Sequence, residues 1–178
     1  MQRVRLVGSR AAGTATEFSD WDFAVETDDF PAVAVDIGSV LAPRQALAQQ
    51  WDRLSETHCW MVILPGAVKL DFIFREPHRV EPAWRPDAHN LAAIDRHFWD
   101  WALWLRSKQA TARHELVARE LEKMFDHILE PMGVDAVPAS LVAAIARYLV
   151  ARDRLEREFR VLVPRDLEHE VGAALRAR

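Results

Sequence analysis

The chain has one cysteine in 178 residues, Cys59, so it can form no internal disulfide and no cysteine-based zinc cluster. That scarcity fits a reducing compartment, and a cytoplasmic location is expected. No early apolar run carries a basic flank and a cleavage site. No stretch approaches the roughly eighteen apolar residues that a membrane span needs, so no membrane partner is expected. The basic excess of a nucleic-acid binder is missing too, with a formal net charge of −4. There is no internal repeat and no low-complexity tract.

What is present is an ordinary globular composition, half hydrophobic and 28% charged, enough to bury a core in one medium domain or two small lobes. The acid excess is unevenly placed. Residues 1–86 hold nine Lys/Arg against twelve Asp/Glu, and residues 87–178 hold fourteen against fifteen. This favours a metal-using or cation-accepting site in the first half.

Periodicity divides the chain in the same region. Arg3 to Val7 alternates and stops at Gly8, and Trp21 to Val25 is a second strand-like run. Cys59 to Leu64 and Val68 to Phe74 flank Pro65-Gly66 and read as an antiparallel hairpin. Phe30–Leu41 and Arg44–Trp51 read as helices interrupted by Pro31, Gly38 and Pro43. After Pro77, Pro82 and Pro86 the period becomes helical. Leu91, Ile94, Phe98, Trp101 and Leu105 mark a helix over His89–Gln109, and Leu116, Leu121, Met124, Phe125 and Ile128 mark one over Arg113–Leu129. Two more are expected about Ser140–Phe159 and Arg165–Arg176. The expected fold is α/β (α+β): a small mixed-sheet lobe, residues 1–86, followed by a helical bundle, residues 87–178.

The chemistry concentrates in LVGSRAAGTATEFSDWDFAV, residues 6–25. In a strand, residues i and i+2 point the same way, so Asp20 and Asp22 project together while Trp21 faces the opposite side. Two converging carboxylates suit a hard cation such as Mg²⁺, which takes oxygen ligands and borrows others from substrate phosphates. Asp71 is a candidate third ligand, the one acid in the apolar strand Val68–Phe74. With Leu70 and Phe72 toward the core, it shares its face with Lys69 and Ile73. Gly8 lets the backbone turn tightly and approach a ligand. The following amides and the Ser9 hydroxyl can donate to phosphate oxygens, and Arg10 can add a cation. Together these describe a nucleoside triphosphate held by a loop and clamped through metal to three acids.

Gly8-Ser9, Gly13 and Ser19-Asp20-Trp21-Asp22, followed by Asp71, resemble the signature of the nucleotidyltransferase superfamily that includes DNA polymerase beta. Within it the stretch is most similar to the aminoglycoside and lincosamide nucleotidyltransferases. The resemblance implies transfer of a nucleoside monophosphate, usually AMP from ATP, to a hydroxyl, with release of pyrophosphate. It implies Mg²⁺ on Asp20, Asp22 and Asp71, triphosphate contact at Ser9, and Asp71 as the group that takes the hydroxyl proton. In these relatives an appended helical domain helps form the acceptor pocket. The implied partners are an NTP and a small hydroxylated acceptor rather than nucleic acid, with a homodimer as a way of completing the pocket. Family members usually carry a helix before the first strand. Met1 stands almost directly before that strand here, which is expected to expose one flank of the sheet.

Two other readings compete. One keeps the chemistry but modifies a protein, as in antitoxin-type nucleotidyltransferases; the helices after residue 88 argue against it. The other is a degenerate member acting as a binding module, against which the three acids and Gly-Ser stand.

Other signals read as structure. Trp101 and Trp104 are expected in the core, although Trp99 and its neighbours could stack on a sugar or base. Asp95, Asp100, Glu115, Glu120 and Glu122 are expected to be solvated, as is the mixed-charge face of RDRLEREFR, residues 152–160. Asp28-Asp29 reads as a turn and helix start. His58-Cys59 and His97 lack metal-ligand spacing with a partner.

Overall fold

The computed structural model describes residues 3–41 and 45–176. The chain divides into two compact units, residues 1–81 with 166–178, and residues 82–165.

The first unit is built on five strands: β1 (Arg3–Val7), β2 (Trp21–Glu26), β3 (Ala48–Trp51), β4 (Thr57–Leu64) and β5 (Val68–Pro77). Their spatial order is β1-β2-β5-β4-β3. The sheet is mixed: β2 and β5 run parallel, and the other pairs are antiparallel. β4 and β5 form the expected hairpin, turning at Gly66 and Ala67, both at positive φ (79° and 56°). Three helices belong to this unit: α1 (Gly8–Ala11), α2 (Phe30–Leu41) and, from the far end of the chain, the last helix (Asp166–Arg176). The Glu170 carboxylate accepts from the Gly66 amide at 3.0 Å, tying that helix to the hairpin turn.

The expected helix over Arg44–Trp51 is not found: Ala48–Trp51 is the edge strand β3, while Arg44 lies outside the described residues. Gln-Ala-Leu-Ala-Gln-Gln is good helix-forming composition, but propensity is a weak prior beside the pairing offered by β4. Ala48 opposes Ile63 and Trp51 opposes Trp60, which buries Ala48 and half-buries Trp51.

One face of the sheet packs on α2. Val25, Ile37 and Phe74 are fully buried, with Phe30, Val33, Trp51, Trp60 and Phe72 packed around them. Burying a side chain such as Phe74 contributes about 1.5–3 kcal/mol. Two apparent helix interruptions have local reasons. Pro31 sits in the first turn, where its missing N–H costs nothing, beside Asp29, whose carboxylate accepts from the Ala32 amide at 3.1 Å. Gly38 lies where a Cβ would stand 3.4 Å from the Trp60 ring, so the helix approaches the sheet closely there.

The second unit contains α3 (Leu91–Ala110), α4 (His114–Met124) and α5 (Leu141–Phe159), and Asp166–Arg176 in the first unit is α6. α4 runs directly into one π-helical turn, Phe125–Leu129. The residues expected to form the α3 stripe are all buried, as are Leu121, Met124 and Ile128. Trp99 and Trp101 are core residues; Trp104 is half-buried under the Lys108 ammonium, 4.8 Å from its ring. No described helix is long and apolar enough to cross a membrane.

Here the expectation of solvated charges fails. Asp95 and Asp100 are buried, and so are Arg152 and Glu156 of the 152–160 segment. The helical period brings Tyr148, Arg152 and Glu156 inward at intervals of four, and partners distant in sequence meet them. Asp95 accepts from the Tyr148 hydroxyl at 2.6 Å and from Arg152 at 3.2 Å, while Tyr148 stacks on Phe98. Glu156 accepts from the Val163 amide at 2.7 Å and from both guanidinium arms of Arg165 at 2.9 and 2.5 Å.

Burial alone would push the Glu156 carboxyl up, but the Arg165 hydrogen bonds, the Val163 amide and the charges of Arg165 and Arg152 outweigh it and leave the carboxyl low. A carboxyl lowered by folding stabilises above its unfolded value, and that stability is lost as pH falls through the folded value. Glu156→Gln is therefore expected to cost about 1–2 kcal/mol at neutral pH. The gap to the parent protein should close as acid takes both below the ordinary glutamate range. Urea melts at pH 7 and pH 3 check this; an equal gap at both would refute it.

Candidate active site

The site begins with register. β2 and β5 are parallel neighbours in which Asp22 stands beside Asp71. Adjacent residues in register point to the same side of a sheet, and Asp20 lies two residues before Asp22, just ahead of β2. Val25 and Phe74 point to the α2 side, so the alternation puts all three acids on the opposite face. There Asp20, Asp22 and Asp71 offer carboxylate oxygens within 4.8 Å of one another. Asp20 and Asp71 are buried and Asp22 half-buried.

The loop at the end of β1 is shaped around them. Val7 opposes Asp22, and at the next residue the chain turns away with Gly8 at φ +68°. A Cβ on Gly8 would lie 2.1 Å from Asp22 Oδ2. Only glycine satisfies both the backbone angle and the approach of the carboxylate. α1 is a single turn, closed by the Ala12 amide on the Gly8 carbonyl at 3.1 Å and the Thr14 amide on the Ser9 carbonyl at 3.0 Å. Ser9 is half-buried at its start.

Arg10 is anchored to the loop backbone. Its guanidinium donates to the carbonyls of Ser19 (3.1 and 2.6 Å) and Asp20 (3.1 Å), and lies 4.3 Å from the Trp21 ring centroid. It braces the backbone that carries Asp20. The Ser19 hydroxyl accepts from the Thr16 amide at 2.9 Å, closing the same loop.

Sequence reasoning placed Lys69 on the Asp71 face without giving it a role. In the structure its ammonium contacts both carboxylate oxygens of Asp71, and both residues are buried. A lysine two residues from an acid in an otherwise apolar strand is the signal that was available. Met61 opposes Asp71 from β4 and is fully buried, so the pair sits in poorly solvated surroundings. Burial pushes the Asp71 carboxyl up; the Lys69 ammonium pulls it down, and the charges of Asp20 and Asp52 add to the rise.

Three carboxylates this close repel unless cations offset them. The donor set is all oxygen and all anionic, which fits a hard divalent ion. Elsewhere, Asp28-Asp29 directly precedes α2, and Glu115, Glu120 and Glu122 lie on the exposed or half-exposed side of α4.

A search of the curated proteins finds no match. Among solved structures, an aminoglycoside 6-adenyltransferase from Bacillus subtilis is similar over 98% of this chain and 91% of its own, at 14% identity and a TM-score of 0.35, a likeness too weak to carry an argument. The model of the nucleotidyltransferase domain family matches residues 2–92, half of the chain, and spans Gly8, the paired aspartates and Asp71. The chain belongs to that family and is a nucleotidyltransferase, an enzyme that uses a nucleoside triphosphate and passes a nucleotidyl group to an acceptor.

Proposed function

We propose that this enzyme carries out Mg²⁺-dependent transfer of a nucleoside monophosphate, AMP from ATP, to a hydroxyl of a small molecule such as an aminoglycoside or lincosamide. The observation that carries the reading is the meeting of Asp20, Asp22 and Asp71 within 4.8 Å. In the reaction the acceptor oxygen bonds to the α-phosphorus while the bond to the bridging oxygen breaks, and pyrophosphate leaves.

Each residue has a part in this scheme. Asp20, Asp22 and Asp71 hold the metal. Bound Mg²⁺ supplies charge neutralisation for the triphosphate and acidifies the attacking hydroxyl. Gly8 leaves room for the Asp22 carboxylate against the loop, and the Ser9 hydroxyl donates to the nucleotide's phosphates. Arg10 serves the same site by fixing the Ser19–Asp20 backbone. The Asp71 carboxylate takes the proton of the acceptor hydroxyl, as the resemblance implies.

The test is calorimetry of ATP binding with and without Mg²⁺, on this chain and on Asp20→Ala. Metal-dependent binding that weakens at least tenfold in the variant is the expected result. ATP binding indifferent to both Mg²⁺ and Asp20 would overturn it and favour the non-catalytic binding module.

A further inference from the structure

We infer that Lys69 is a built-in counter-cation for the acid cluster, holding Asp71 in the metal-free protein and competing with the metal for it. The inference rests on the proposed metal site and adds a residue that sets how tightly the site binds. Lys69 and Asp71 stand two positions apart on β5 and so share one face of the sheet. The ammonium reaches both Asp71 oxygens, including the one that Asp71 would offer a metal.

Both partners are buried beside fully buried Met61, in a setting where an uncompensated carboxylate is costly. With Asp20 and Asp22 close by, the Lys69 ammonium is set against a cluster of three acids. One positive charge next to Asp71 makes the metal-free sheet tolerable. The same charge opposes the arrival of a divalent ion, because two cations then face one carboxylate. Lys69 thus stabilises the empty site at the expense of metal affinity. The flexible four-carbon stem of a lysine can move its charge aside, where a rigid guanidinium fork would grip both oxygens.

The test compares the full chain with Lys69→Met and Lys69→Arg at pH 8, reading Mn²⁺ affinity by electron paramagnetic resonance and thermal melting with and without Mg²⁺. Lys69→Met is expected to melt lower without metal, to bind Mn²⁺ on the order of tenfold more tightly, and to gain more from Mg²⁺ in the melt. A Met variant that folds only when metal is added gives the same answer. Lys69→Arg, which keeps the charge, is expected to bind Mn²⁺ more weakly than the parent and settles the matter if the Met variant does not fold at all. Unchanged or weaker Mn²⁺ binding in a folded Met variant, or parent-like binding in the Arg variant, would overturn the inference while leaving the metal site standing. Absence of Mn²⁺ binding in the parent chain would instead remove the proposed function, and this inference with it.

Discussion

Asp22→Asn is expected to slow nucleotidyl transfer by on the order of a thousandfold while leaving the metal-free protein at least as stable as the parent. The substitution keeps shape and removes one charge from a group of three carboxylates within 4.8 Å. In the empty site that charge is a burden, since like charges repel across poorly solvated space. In the proposed reaction the same charge would hold the metal that neutralises the triphosphate. Stability and activity should therefore move in opposite directions, as they do where a site carries strain for function. Pyrophosphate release from ATP and Mg²⁺ with a panel of hydroxylated acceptors gives the rate, and a metal-free melt gives the stability. A rate within tenfold of the parent would remove Asp22 from the machinery. A large drop in the melt would recast it as a structural residue.

Gly8→Ala carries the second large effect, and it acts without touching a charge. The φ of +68° alone is unfavourable for alanine, by about 1–2 kcal/mol. The greater problem is the 2.1 Å approach to Asp22 Oδ2, far inside any tolerable contact. Either the carboxylate swings away from the acid cluster or the strand end shifts and spoils the register of Val7 against Asp22. Mn²⁺ affinity is expected to fall at least tenfold, with a lower melting temperature. Gly13→Ala is the control: its φ is also positive, at 70°, but nothing lies within 4 Å of the added carbon. It should cost stability alone. Equal loss of metal binding in both variants would show that loop strain, rather than the carboxylate contact, governs the site.

How far the sequence speaks depends on whether a partner is near in the chain. Asp20 and Asp22 share a face because of their spacing, and Pro65-Gly66 announces its hairpin, so both are legible from neighbours alone. The parallel seating of β5 beside β2 is not local, and only the lone acid in an apolar strand hinted at Asp71. β3 was hidden because its residues favour a helix in isolation and become a strand only when β4 is present. Asp95, Arg152 and Glu156 read as surface charges, since their partners lie on other elements or beyond a helix end. Arg10 shows the converse. Its position beside a phosphate-type loop suggests a ligand cation, and its Nε and Nη2 also donate to the carbonyls of Ser19 and Asp20, which no local pattern announces.

The parallel pairing of β2 with β5 also has a kinetic meaning. The β4–β5 hairpin closes over three residues and needs little loop entropy, whereas Asp22 and Asp71 are brought side by side only after a long intervening segment has been looped back. The acid cluster thus depends on long-range assembly. A nascent chain that has emerged only as far as β4 has its first two acids and no site, so it cannot capture a metal ion before the sheet that will hold it exists.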